Sequence, residues 1–362
     1  MRSSEKGNGT FPACGYGLLG LCCTHCLLGP CRVHPFERGS ARVLCAEGPD
    51  EIVAKNLLRT VTLEATLNIS RLREAFLRFE KWGSSRPSTK RRGGSEKEKL
   101  AGKYGFPSDW PLRKMVRTLS FGTRALLSPF PEKEVSLLPW LLPEKTFPPI
   151  DQKGGGDGSF INLLLDSAEL TQGRPTELSA LLWQCLSLSR MTVLSEQIQR
   201  DIHILIDGGT ETIAEGEIPA LLEGLPSVST PFLLVVTDET MPCQESSNTA
   251  RDALVQRLKE AVPIVQLRQT GSLPEVGRRL SQKWRRPVSE IRAMTLLSSS
   301  QATRVLGALA LGFHVMSFPP LPLHGSKRVE AFFLKDLGTR LGNRYFVSWE
   351  DDLFSQVQAF LT

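Results

Sequence analysis

A chain of 362 residues with 41% apolar and 23% charged residues has the size and balance of a globular protein with more than one core, and excludes fibrous and intrinsically disordered classes. Met1 to Thr10 lacks the apolar core of a signal peptide, and the longest apolar stretch, Val305 to Met316, is too short to cross a bilayer, so a cytoplasmic protein without a membrane span is expected. The net charge of +6 does not imply nucleic acid, because Arg86 to Lys103 alone holds seven Lys or Arg against two Glu.

Six of the eight cysteines are Cys14, Cys22, Cys23, Cys26, Cys31 and Cys45. Disulfides would suit such crowding in a small secreted domain, but here it occupies one end of a long chain, and a metal site is the better reading. Cys23, Cys26 and Cys31 have the spacing C-x2-C-x4-C, whose thiolates can converge on three corners of a cubane, with Cys45 as a more distant fourth ligand. Zinc and redox thiols are the competing readings, although zinc ribbons pair two short knuckles and this sequence has one dense run. The neighbours Cys22 and Cys23 favour iron and sulfur: adjacent side chains diverge and suit two different sites. Cys14 and Cys22 then remain as a pair, which a second chain related by a two-fold axis would complete. The expectation is one [4Fe–4S] cluster per chain and one shared across a homodimer axis. His25 and His34 beside the loop are read as cover, with ligation or proton transfer as the alternative.

After this cysteine-rich loop a helix is expected from Pro49 or Asp50, carrying Ile52, Val53, Leu57, Leu58, Val61 and Leu63 mostly on one face, so that residues 1–82 form a first unit. Residues 83–157, rich in Gly, Ser, Pro and charge, read as insertion or linker, with "LLPWLLPEKTF" apolar enough to pack on a partner. Residues 158–202 read as two helices that complete a helical domain. Residues 203–362 alternate short apolar runs with helical segments, the mark of a Rossmann-like, doubly wound α/β unit. The expected strands are "IHILIDG", "PFLLVVTDE", "VPIVQL", "AMTLLSS", "FHVMSFP" and "RYFVSWE"; the expected helices are Thr249–Ala261, Leu273–Trp284, Ala302–Leu311 and Leu353–Leu361. There is no G-x-G-x-x-G and no P-loop, and "DGGTET" reads as an ordinary turn. Cys185 on an apolar helix reads as core, and Cys243 near a strand end lacks a visible partner.

The runs "GLCCTHCLLGPCRVHPF" (Gly20 to Phe36) and "VLCAEGPDEIVAKNLLR" (Val43 to Arg59) resemble the cluster loop and following helix of the anaerobic nickel–iron carbon monoxide dehydrogenases. Weaker likenesses lie in Gly173 to Ile198 and between Arg304 and Asp351. The resemblance implies that Cys23, Cys26, Cys31 and Cys45 hold an inner [4Fe–4S] cluster and that Cys14 and Cys22 hold the cluster shared between subunits. It also implies a nickel–iron–sulfur centre held by one histidine and several cysteines of the α/β domains, where this chain offers only Cys243 with His203, His314 and His324. A histidine-rich stretch that resembles a proton path is replaced by "TVTLEATLNISRLREAF", with Asn68 and Arg71. The chain thus reads as a shortened family member, with no nickel expected and no catalytic residue assigned.

The leading expectation is an iron–sulfur electron-transfer protein of the anaerobic cytoplasm. Its partner would be a ferredoxin-like carrier or another oxidoreductase subunit, with Arg86–Lys103 as a docking arm. The alternatives are a redox enzyme of the carbon monoxide dehydrogenase type and a structural or redox-regulatory partner of another oxidoreductase.

Overall fold

The computed structural model describes residues 14–24, 29–33, 47–85, 106–128, 159–172, 176–207, 231–237, 245–259, 262–267, 273–299, 301–318 and 326–346, together with residues 98, 101, 102, 104, 321, 357 and 360. A single helical turn, α1 (Gly15–Leu18), leads into an antiparallel ribbon of β1 (Cys22–Cys23) and β2 (Cys31–Arg32). Helix α2 (Pro49–Ser85) follows, with 37 residues and therefore about 55 Å long at the α-helical rise. Its start is fixed locally. Pro49 takes the first helical position, Asp50 and Glu51 face the positive end of the dipole, and the Glu51 carboxylate accepts the Gly48 N–H at 3.1 Å.

Helix α3 (Leu112–Leu126) folds back along α2. It lies inside the span expected to be linker. Its apolar positions Met115, Val116 and Leu119 form a buried stripe, although the cations between them and the Gly- and Pro-rich flanks hide it in the local composition. Val116 approaches α2 so closely that a Cβ on Gly83 would lie 2.7 Å from its side chain. Helices α4 (Phe160–Leu170) and α5 (Leu178–Asp207) are the two expected after residue 158, with Ser159 capping α4 through the Asn162 N–H. Helix α5 carries "IHILID", expected as a strand. Ile198, Ile202 and Leu205 are buried while His203 is exposed, a helical period in place of strand alternation. Helix α5 is the central rod: Leu181, Cys185, Leu188, Val193, Leu194 and Ile198 are buried between α2, α4 and the sheet domain.

The sheet has five strands: β3 (Phe232–Thr237), β4 (Ile264–Leu267), β5 (Ala293–Ser298), β6 (His314–Phe318) and β7 (Tyr345–Phe346), all parallel in the order β4-β3-β5-β6-β7. Five expected strands are therefore present, linked by α6 (Glu245–Leu258), α7 (Leu273–Trp284), α8 (Ala302–Ala310) and α9 (Lys327–Ala331), which runs through a π-helical turn into α10 (Leu337–Leu341). The topology is doubly wound, with its switch point between β3 and β5. Phe232, Leu234 and Val236 join the core shared with the helical domain, whereas Leu233 and Val235 face a second cluster with Leu254, Leu258, Met294 and Met316. The strand period of two thus divides one segment between two apolar layers.

The two halves are tied at the switch point. The Glu64 carboxylate of α2 accepts the backbone N–H groups of Ala302 (3.3 Å) and Thr303 (2.8 Å) and the Thr303 hydroxyl (2.7 Å) at the start of α8. A carboxylate there satisfies orphan donors and meets the positive end of the helix dipole. Deeper in the same crossing, α5 and α8 touch at Gly307. No described helix is long and apolar enough to cross a membrane. Most of Leu353–Leu361, "LLPWLLPEKTF" and most of Arg86–Lys103 lie outside the described residues.

Candidate metal centre

The cysteine loop rests on the first turns of α2. Asn56 Nδ2 donates to the carbonyls of Gly20 and Cys22, both at 2.8 Å, and Arg59 donates to the Thr24 carbonyl at 3.2 Å and its hydroxyl at 2.9 Å. Gly20 turns the chain at φ +70°, and its Cα edge faces Val53 of α2, which a Cβ would meet at 3.5 Å. Sequence reasoning missed Asn56 and Arg59. The usable signal was an asparagine in a helix interior, where its side chain favours partners outside the helix.

In the ribbon, Cys23 pairs with Cys31 and Cys22 pairs with Arg32. Directly opposed residues share a face, so Cys23 and Cys31 lie on one side and Cys22 and Arg32 on the other. The first side is shielded: Cys23 is buried with Leu21 and Val33, while Cys31 is half-buried. On the second side Cys14 is exposed at the start of α1, with the Cys22 thiol in hydrogen-bonding reach. The backbone N–H groups of Gly17 and Tyr16 lower the Cys14 thiol from its ordinary range against a small burial penalty, and Arg32 and Cys22 lower it further. Arg32 also lies over the Tyr16 ring, 5.6 Å from its centroid.

The structure therefore brings together Cys23 with Cys31, and Cys14 with Cys22. Cys26, Cys45, Cys243, His25, His34 and His324 lie outside the described residues, and among the described residues no group of three or more metal-ligating side chains is assembled. The donor set fits a thiolate-bound cluster: soft sulfur ligands are paired on each face, and a dipole of backbone N–H groups favours the charged form at Cys14. Beneath the loop, buried Lys55 donates to the Glu47 carboxylate and to the Gln172 carbonyl at 2.8 Å, tying the start of α2 to the end of α4.

Among the other candidates, Cys185 and His314 serve the core. Cys185 is fully buried in α5, and burial pushes its thiol up. His203 is exposed on α5; His314 is buried at the start of β6, 4.6 Å from the Phe360 ring centroid. Asn68 of α2 accepts from the Ser195 hydroxyl and from Gln199 Nε2 (2.7 Å) and donates to Glu196 (3.3 Å), which also accepts from Arg304 Nε at 3.2 Å. An amide–carboxylate–guanidinium cluster thus occupies this stretch of α2.

A thiol-rich loop seated on a long helix, joined to a doubly wound α/β domain, defines a two-domain architecture. That architecture is shared with carbon monoxide dehydrogenases. A nickel-free crystal structure of carbon monoxide dehydrogenase from Thermococcus sp. AM4 superposes with a TM-score of 0.67 over 97% of this chain and 91% of that one, at 13% identity. In sequence, the chain is 34% identical over 128 residues to carbon monoxide dehydrogenase 1 of Methanosarcina acetivorans, which is 35% of this chain and 20% of that protein. It is 28% identical over 183 residues to the carbon monoxide dehydrogenase of Methanocaldococcus jannaschii, which is 49% of this chain and 28% of that protein. The matched region thus spans under a third of the length of either relative. No family model matches the chain. The likeness to carbon monoxide dehydrogenases read from the cysteine loop is present in sequence and in fold.

Proposed function

We propose that this chain is an iron–sulfur electron-relay protein without a CO-oxidising centre. Cys23, Cys26, Cys31 and Cys45 hold an inner [4Fe–4S] cluster, and Cys14 and Cys22 share a second cluster with the same residues of an identical partner. The observation that carries this reading is the ribbon alternation, which turns Cys22 and Cys23 to opposite faces and leaves each with a different thiol neighbour. Bound clusters of this type supply one-electron transfer. The chain's own groups do the rest. Tyr16 and Gly17 N–H groups favour thiolate at Cys14, Leu21 and Val33 keep water from Cys23, and Asn56 and Arg59 hold the loop in register on α2.

The missing catalyst follows from donor chemistry. A nickel–iron–sulfur centre needs several thiolates, and beyond Cys185 this chain has Cys243 alone. The segment around Asn68 and Arg71, which the resemblance matches to a histidine-rich stretch, holds no histidine, and the Asn68 amide does not exchange protons near neutral pH. The electron partner in this reading is a ferredoxin-like carrier or another oxidoreductase subunit in an anaerobic cytoplasm, with Arg86–Lys103 as the docking arm.

A second reading, a redox enzyme of the carbon monoxide dehydrogenase type, is favoured by the fold likeness along nearly the whole chain. Metal analysis of anaerobically purified protein separates the two. The relay reading expects iron and sulfide, no nickel, and no CO-dependent reduction of a viologen dye. Stoichiometric nickel or CO-dependent dye reduction would establish the enzyme instead.

A further inference from the structure

Helices α2 and α3 approach closely where Val116 meets Gly83, and beside that contact lies an open groove of about 510 Å³. This is the size of a small-molecule site. One wall is α2 at Glu80 and Gly83. The other is a single stripe of α3, Arg113, Arg117, Ser120 and Arg124, at spacings of four, three and four. Three guanidinium groups thus line one side of the groove. It lies far from the cysteine loop, since Gly83 follows Asn56 by about 40 Å along α2.

Only one of these cations is paired. Arg124 donates to the Glu80 carboxylate at 2.6 Å. Arg113 and Arg117 are exposed, and among the described residues no carboxylate pairs with either. Arg113 also stands in the first turn of α3, which holds no acidic residue, so its charge meets the positive end of the helix dipole. Lys114 beside it lies over the Trp110 ring instead, 3.8 Å from the centroid. A merely solvated cationic face has no use for a buried polar group. Ser120 is nevertheless only 6% exposed, and its hydroxyl has no hydrogen-bond partner among the described residues. Helical side chains lean toward the N-terminus of their helix, so the Ser120 Cβ leans toward Arg117 and Arg113. An anion seated there would relieve the unfavourable charge placement and engage the orphan donor together.

We propose that the end of this groove at Arg113, Arg117 and Ser120 binds the phosphate of a small organic phosphate monoester. A carboxylate fits one guanidinium fork; a phosphate, with three terminal oxygens and nearly two charges, matches two forks and a hydroxyl. Phe121, 44% exposed on the groove wall, offers its ring to the organic part of the ligand. The Glu80 carboxylate beside Arg124 repels an anion from the other end and so directs the phosphate toward the start of α3. The site is independent of the cluster reading above.

The test titrates phenyl phosphate into anaerobically prepared full-length protein and reads binding by calorimetry. Wild type should bind it at a single site per chain, about tenfold or more tighter than benzoate, which carries the same ring on a carboxylate. R113Q/R117Q should weaken binding about tenfold or more, whereas K259Q, which removes an exposed cation of the α/β domain, should bind as wild type. Ser120→Ala should weaken binding severalfold and yet raise the urea midpoint of the ligand-free protein, because it deletes a buried hydroxyl without a partner. No binding by wild type, equal affinity for benzoate, or undiminished affinity in R113Q/R117Q would overturn the proposal. A lowered midpoint with unchanged affinity in Ser120→Ala would make that hydroxyl purely structural and overturn the site as drawn.

Discussion

Cys22 and Cys23 are one position apart in the chain and a full ribbon face apart in space. A two-residue strand is enough for this separation, because strand side chains alternate at every step. The same strictness applies to buried titratable groups. Burial lowers the His314 imidazole to about 4, a backbone hydrogen bond with Ser289 opposes the shift, and the Arg344 charge adds to it. The folded chain therefore takes up this proton later than the unfolded chain, whose histidine titrates at its ordinary value. Stability from His314 is complete above about pH 6.5 and is lost as pH falls toward 4, by up to about 3 kcal/mol. Urea midpoints measured across that window should drop in wild type and flatten in His314→Phe. Equal slopes in the two proteins would contradict the assignment.

At the scale of elements, the crossing of α5 and α8 is set by a missing side chain. A Cβ on Gly307 would lie 2.4 Å from the Val193 side chain and 2.8 Å from the Ser189 carbonyl oxygen. Alanine normally favours a helix over glycine by about 1 kcal/mol, so the sign of Gly307→Ala decides whether packing or propensity rules here. The contacts are with a β-branched side chain and with backbone, neither of which gives way cheaply, and a net loss of about 1–3 kcal/mol is expected from denaturant unfolding. A neutral or stabilising result would mean that the helices move apart freely. Elements were legible in the sequence where one apolar pattern dominated a window. Residues 232–237 and 293–298 are apolar central strands, and 264–267 is an edge strand that buries Val265 and Leu267. Leu112–Leu126 was not legible, because only a narrow stripe of it is buried and four cations surround that stripe. The tail of α5 was misread because "IHILI" is apolar enough for a strand, and only tertiary packing shows that its period is helical.

Across the whole molecule, α2 is the common member. Its first turns hold the cysteine loop through Asn56 and Arg59, its middle caps α8 through Glu64, and its end packs on α3 beside Gly83. The candidate site was legible in part for a physical reason: cysteine spacing records ligand geometry directly, so the split at Cys22 and Cys23 could be read before any fold. The groups that seat the loop could not, since Asn56 and Arg59 act across 34 and 35 positions of chain and leave no local pattern. The central claim is that the six cysteines form two cluster sites, one complete in each chain and one completed by a partner. Iron counted per chain in C14S/C22S against wild type tests it most directly. A fall from about six to about four, with the inner cluster spectrum retained, is the predicted result; an unchanged count, or loss of all iron, would contradict it.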